Sequence, residues 1–207
     1  MTVIENLPLF PLGTVLFPQG RLPLKIFEVR YMEMAKECFR DAASPKPFGV
    51  CLLSSGTEVA QTGDGAAVPH QIGCLAQIVS WDMPSLGVLL IETRGTQRFR
   101  IIESRVDKSR LARATVELLP ADPVKPIAAK FAACAIVLAA IVDKMPELFA
   151  APHQPEDATW VSNRLSEVLP ISPLARQKLM ELADPSQRIE IIAQFLTTQG
   201  LPLPGNA

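Results

Sequence analysis

The sequence predicts an α+β chain in which a small β-barrel is followed by a C-terminal helical bundle. Three observations carry this. The first 118 residues break into short apolar runs separated by proline and glycine. After residue 127 the apolar period becomes helical. Between them, Leu119-Pro120-Ala121-Asp122-Pro123-Val124-Lys125-Pro126 concentrates proline and reads as a stiff connector. The expected organisation is a barrel over 1–119, a connector over 120–126, a bundle of about four helices over 127–200 and a tail over 201–207.

The elements follow in order. Leu7–Phe10, Val15–Phe17 and Leu22–Phe27 are strand-like runs punctuated by Pro8, Pro11, Gly13, Pro18, Gly20 and Pro23. Strand edges tolerate proline because its missing N–H need not face a ladder partner. A helix is expected over about 29–41, with Met32, Ala35 and Phe39 inward and Cys38 beside them. Ser44-Pro45-Lys46-Pro47 closes it. Phe48–Leu53 reads as a continuous apolar strand and Ser54–Pro69 as a loop. Gly73–Trp81, Val88–Thr93, Gln97–Ser104 and Leu111–Leu118 are further strands, with a tight hairpin expected at Arg94-Gly95-Thr96. No regular β-α alternation appears, which favours a barrel over a parallel sheet.

Past the connector, Phe131–Val142 (FAACAIVLAAIV) is the longest apolar run. It is shorter than the roughly 20 residues a bilayer span takes, so a central helix buried on all sides is expected. Asp157–Leu169 is a second helix. Ser172-Pro173 starts a third as N-cap and first helical residue, with Leu174, Leu179 and Leu182 inward. Asp184-Pro185-Ser186-Gln187 starts a fourth, which Gly200 ends.

Composition excludes several function classes. The net charge of −1 gives no global field for nucleic acid or an anionic membrane. The four cysteines, Cys38, Cys51, Cys74 and Cys134, form no C-x-x-C pair. With no basic, small-residue-terminated leader in Met1–Phe10, free thiols in a reducing cytoplasm are expected. Neither G-x-x-x-x-G-K-[ST], G-x-G-x-x-G nor G-x-S-x-G occurs. His153 lies in a Pro-rich linker. His70 and Cys74, with Cys51, fall short of the four ligands of a structural zinc site. Glu33 and Glu37 are one turn apart beside Lys36 and Arg40 and read as a solvated face. No catalytic residue, metal or cofactor is therefore expected.

Charge is unevenly spread. Residues 1–93 carry 6 Lys/Arg against 9 Asp/Glu, residues 94–113 carry 7 against 2, and residues 114–207 carry 7 against 10. Within the basic interval, alternation puts Arg98 and Arg100 on one strand face and Phe99 and Ile101 on the other. Arg94, Arg98, Arg100, Arg105 and Arg110 are candidate phosphate contacts for RNA or a nucleotide. The competing reading is the solvated outer face of a barrel strand. It is favoured by the neutral overall charge and the lack of aromatics placed for base stacking.

Three blocks of this sequence resemble the Lon protease N-terminal domain family. The first joins Leu7-Pro8-Leu9-Phe10-Pro11-Leu12, Val15-Leu16-Phe17-Pro18 and Pro23-Leu24-Lys25-Ile26-Phe27-Glu28-Val29-Arg30-Tyr31. The second is Ile72-Gly73-Cys74-Leu75-Ala76-Gln77-Ile78, and the third Gly95-Thr96-Gln97-Arg98-Phe99-Arg100-Ile101. The resemblance implies a PUA-like β-barrel with a C-terminal helical bundle. It also implies recognition of protein substrates, in a family whose ATPase and peptidase lie downstream. A stand-alone, non-enzymatic member is expected, with protein or peptide segments as partners and a protease or chaperone as companion. If a peptide binds, an open barrel edge or a groove between barrel and bundle would receive it. Leu16, Tyr31, Trp81 and Arg98 are the candidate contacts.

Overall fold

A computed structural model describes residues 2–41, 45–55 and 68–200. The chain divides into two compact units, Met1–Pro120 and Ala121–Ala207. Among the described residues no helix is long and apolar enough to cross a membrane.

The first unit holds strands β1 (Val3–Leu12), β2 (Arg21–Ile26), β3 (Phe48–Ser55), β4 (Val68–Pro69), β5 (Ile72–Ser85), β6 (Val88–Val106) and β7 (Ala112–Leu118), with helix α1 (Val29–Phe39). The sheet runs β1-β7-β6-β5-β3, and β1 also pairs with β3, so five strands close on themselves. The closing pair is the one parallel pairing among the described residues, Leu9 opposite Gly49 and Leu12 opposite Leu52. A parallel pair needs a long crossover. Residues 13–47 supply it and carry β2 and α1.

Leu7, Leu9, Cys51, Leu75, Phe99, Ala114 and Val116 come from all five closing strands and form one buried cluster, the barrel interior. Phe99 fills its centre: a Cβ on Gly49 or Gly73 would meet the Phe99 ring at 2.7 or 2.6 Å. The opposite sheet face buries Phe10, Phe48, Val50, Cys74, Ile78 and Ile91 together with Tyr31, Met34, Ala35 and Cys38 of α1. Helix α1 therefore turns a face one residue away from the expected one; Met32 and Phe39 only flank it. Tyr31 stacks on Phe10 with ring centroids 3.8 Å apart.

Two strand expectations are corrected. Val15–Phe17 is no strand; it is an irregular segment, apolar because Val15, Leu16 and Phe17 are all buried. The expected hairpin at Arg94–Thr96 is absent, and β6 runs unbroken through it. The actual hairpin is two residues long, Leu86-Gly87, with Gly87 at φ +83° and Ser85 opposite Val88. Gly95 answers a different need. The Phe17–Gly20 turn lies against it, with Gln19 N donating to Gly95 O and Gly95 N to Gly20 O, both at 2.8 Å. A Cβ there would sit 2.0 Å from the Phe17 carbonyl oxygen. Of the expected loop Ser54–Pro69, Ser54 and Ser55 end β3 and Val68-Pro69 forms β4; residues 56–67 lie outside the described residues. Ser44 and the tail 201–207 lie outside them too.

The second unit contains α2 (Ala132–Lys144), α3 (Ala158–Val168), α4 (Pro173–Glu181) and α5 (Pro185–Thr198). Ser172 caps α4 through Ala175 N at 3.2 Å, and Asp184 caps α5 through Ser186 N at 2.9 Å, each followed by proline at the first helical position. Gly200 ends α5 at φ +75°. On α4 the inward residues are Gln177, Leu179 and Met180, while Leu174 is exposed.

The helix buried on all sides is α3, not α2. From Ala158 to Ser166 every residue of α3 is buried, including Thr159, Ser162, Asn163, Arg164 and Ser166. Hydrophobicity pointed to the wrong helix because hydroxyls can satisfy themselves. Ser162 Oγ donates to Thr159 O and Ser166 Oγ to Ser162 O, at 3.2 and 2.7 Å, so these side chains enter a core at little cost. Residues 122–126 are tied to this unit. Thr159 Oγ1 donates to Pro123 O at 2.6 Å, Ala158 N to Lys125 O at 2.7 Å, and Lys125 N to Asp157 Oδ1 at 3.0 Å. Arg188 and Asp122 form a buried ion pair at 3.0 Å.

Candidate functional site

The barrel carries a three-stranded wing in which β6 lies between β2 and β5. Leu24, Ile91 and Trp81 share one row across it, and Lys25, Leu90 and Asp82 the next. A paired residue in an antiparallel sheet faces the same side as its partner. The first row therefore faces the core under α1, where Ile91 is buried and Leu24 half-buried. Trp81 ends that row at the rim. Its ring centroid lies 5.8 Å from that of Phe39 in the last turn of α1, and the residue remains 59% exposed. Beside it lies a shallow cleft of about 440 Å³, whose walls include Pro23, Trp81, Leu90 and Glu92.

Among the described residues the outer edge of β5 is open beyond Ala76. Pairing with β3 covers only Cys74–Ala76, while pairing with β6 continues to Ser85. Gln77 Nε2 donates to Pro45 O at 3.2 Å where the two strands part. Beyond that point no β-ladder covers the second edge of β5 among the described residues. Backbone N–H and C=O groups on such an edge are open to an added strand. Val79, Trp81 and Met83 on this strand are exposed, and Leu86 at the hairpin tip is 99% exposed. Single exposed apolar residues are ordinary on protein surfaces; four of them along one hairpin are not. Asp82 is the one charged residue between Gln77 and Leu90.

The structure places the sequence-derived candidates unevenly. Of the peptide contacts, Trp81 lies at this rim, whereas Leu16, Tyr31 and Arg98 are buried. The basic residues are dispersed. Arg98 and Arg100 face away from the barrel interior that Phe99 fills, yet only Arg100 of the two reaches the surface. Arg94 and Arg105 are separated by about 36 Å of extended strand. Arg105 Nη2 donates to Asn6 Oδ1 at 2.8 Å. Arg110 occupies the β6–β7 turn at φ +65°, with its carbonyl accepting from Arg30 at 3.2 Å. Arg113 is held by Glu37 at 2.7 Å and Asp107 at 3.0 Å.

That last cluster fixes α1 on the barrel. Burial alone would raise the Asp107 carboxyl. Hydrogen bonds from the Ser109 hydroxyl, Arg113 and the backbone N–H groups of Ser109 and Leu111 outweigh it and hold the pKa at about 2. The Arg113 hydrogen bond lowers Glu37 as well. Nothing in this arrangement sets a base beside a nucleophile. All four cysteines are free and buried, and burial raises the Cys38 and Cys134 thiols to about 11. Among the described residues no three His, Cys, Asp or Glu side chains are grouped to hold a metal ion.

Sequence reasoning reached Trp81 and an open barrel edge in general, but missed Val79, Met83, Leu86 and the strand, β5, that carries the edge. The signal was present in Val79-Ser80-Trp81-Asp82-Met83, where apolar residues alternate with polar ones beyond the expected strand end.

Comparison with known proteins agrees with the architecture. Residues 6–198 match the ATP-dependent protease La (LON) substrate-binding domain family. A Lon protease of Heliobacterium modesticaldum is 24% identical over 203 residues, 95% of this chain but 24% of the relative's length. The crystal structure of a Lon N-terminal domain protein from Xanthomonas campestris superposes with a TM-score of 0.71 at 31% identity, covering 94% of this chain and 98% of the other. The N-terminal domain of Lon protease from Mycobacterium avium complex shares the fold, with a TM-score of 0.57 at 13% identity over 93% of this chain and 98% of that one. Closed barrel, crossover helix and helical unit thus occur together in a chain that belongs to the LON substrate-binding domain family.

Proposed function

We propose that this chain is a non-catalytic binding module for extended, apolar protein segments, and that the free part of β5 is where they dock. The observation that carries this reading is the coincidence of an uncovered strand edge with exposed Val79, Trp81 and Met83. An extended segment adding to that edge would pair with the backbone groups still free there, short of Pro84, which has no N–H to donate, and its alternate side chains would meet Trp81 and the cleft beside it. The exposed part of β5 from Val79 to Ser85 is about 23 Å long, room for a segment of about seven residues. Membership of a substrate-binding family supports the same reading. Such a segment would come from a proteolysis substrate or from a partner protease or chaperone.

The test is a fluorescence-anisotropy titration against labelled heptapeptides, comparing Val/Leu/Phe-alternating sequences with charged ones. The alternating peptides should bind. Trp81→Ser with Met83→Ser should weaken them at least tenfold while the melting temperature stays within about 2 °C, because both residues are exposed. Binding unchanged in that double variant would overturn the assignment of the site.

A further inference from the structure

The two rows that flank Leu24, Ile91 and Trp81 face outward, because side chains alternate along each strand of the wing. One joins Lys25, Leu90 and Asp82, the other Pro23, Glu92 and Ser80. Glu92 is held by Arg21 at 2.9 Å. Asp82 is not held: among the described residues it makes no ion pair and no side-chain hydrogen bond. Lys25 shares its row but stands two strands away across Leu90, about 10 Å. Asp82 is exposed and lies on the part of β5 that pairs with β6 alone among the described residues. It is thus a single uncompensated carboxylate beside the edge that an added strand would occupy.

Granted the docking on β5 proposed above, on which this rests, we infer that Asp82 selects among extended segments and favours those with Lys or Arg in register with it between apolar neighbours. A residue of the added strand paired with Asp82 shares its face, as Leu90 does on the other side, with Cβ atoms about 5 Å apart. A lysine or arginine there reaches the carboxylate, and Leu90 offers no competing charge. A glutamate there sets two carboxylates side by side, which opposes pairing. The added strand is then read on both faces: one turns apolar side chains towards Trp81, the other a cation towards Asp82. The cation also fixes the register. Apolar alternation alone lets a segment slide by two residues and keep the same face inward; only one of those registers puts the charge opposite Asp82. A lone charge on an open edge has a second possible use, deterring unwanted strand pairing. Such a guard would disfavour every segment alike, so the two roles separate experimentally.

The test uses the full chain and three heptapeptides, Val-Thr-Phe-X-Val-Thr-Leu, with lysine, glutamine or glutamate at X. Capped termini and a neutral fluorophore leave X as the sole site of charge. Anisotropy titrations at about 50 mM salt should give the lysine peptide a Kd about fivefold below that of the glutamate peptide, with glutamine between them. At about 500 mM salt the ratio should fall below about twofold. Asp82→Lys should invert the order. Asp82→Asn should bring all three Kd values within about twofold of one another while leaving the glutamine peptide near its wild-type affinity. Asp82 is exposed, so both variants should melt within about 2 °C of wild type. Equal affinity of the wild type for the lysine and glutamate peptides overturns the inference and leaves docking on β5 standing. So does an order that survives Asp82→Lys, or an Asp82→Asn variant that tightens all three peptides equally, the mark of a guard. Failure of all three peptides to bind removes the docking itself, and the inference with it.

Discussion

Removing the carboxylate of Asp122 should destabilise the helical unit severely. Asp122 and Arg188 are 3% and 0% exposed, so neither charge is solvated by water. The Arg188 guanidinium donates from Nε to Leu179 O at 2.9 Å, from Nη1 to Ser162 Oγ at 3.4 Å, and from Nη2 to Leu182 O and Asp122 Oδ2. Asp122 supplies the negative charge of that shell. In Asp122→Ala the buried guanidinium loses this carboxylate, a change that costs about 3–5 kcal/mol. Asp122→Asn keeps an acceptor oxygen and should cost less, about 1–3 kcal/mol. The assay is urea unfolding followed by circular dichroism at 222 nm, where the helices dominate. With a slope of about 1–2 kcal/mol/M, the alanine variant should lower the helical transition by about 1.5 M or more. A midpoint within about 0.3 M of wild type for both variants would show that the pair contributes nothing, and would refute this account of how residues 122–126 are held.

Gly95→Ala should cost about 2–4 kcal/mol, because the Phe17–Gly20 turn must withdraw and two backbone hydrogen bonds are lost; chemical denaturation of the barrel measures it. Asp107 predicts a pH dependence. Its folded pKa lies at about 2, below the ordinary value, so it adds stability above pH 4 that is lost as pH falls towards 2. Thermal melts from pH 5 to pH 2 should show the loss, and Asp107→Asn should flatten that slope while lowering stability at pH 7. Native protein should react with none of its four buried cysteines in a thiol-titration assay over an hour, whereas the urea-unfolded chain should release all four.

How far the sequence could be read depended on which interactions were local. The caps Ser172-Pro173 and Asp184-Pro185 were legible because a side chain reaching its own helix needs no tertiary information. The Lon-type blocks carried the barrel and its order. Gly95 shows the limit: a glycine in a strand pattern signals either a turn or a close backbone approach, and only the position of Phe17 decides between them. Helix α2 shows another. Its hydropathy argued for complete burial, yet the buried helix is α3, whose serines bond to their own backbone. The site was half legible. Trp81 stood out as a tryptophan, but an open edge depends on where the neighbouring strand stops. That Leu16 and Tyr31 lie inside follows from Tyr31 packing on Phe10 under α1, a contact across 21 residues of chain.

If an extended segment adds to the free edge of β5, hydrogen–deuterium exchange of the full chain with and without a binding peptide will register it there. Amides between Val79 and Ser85 whose N–H groups face the open edge should exchange quickly in the free protein and at least tenfold more slowly with peptide bound, while those in α4 and α5 stay unchanged. Peptide binding that leaves the β5 amides unprotected, or protects a different surface instead, would contradict the account.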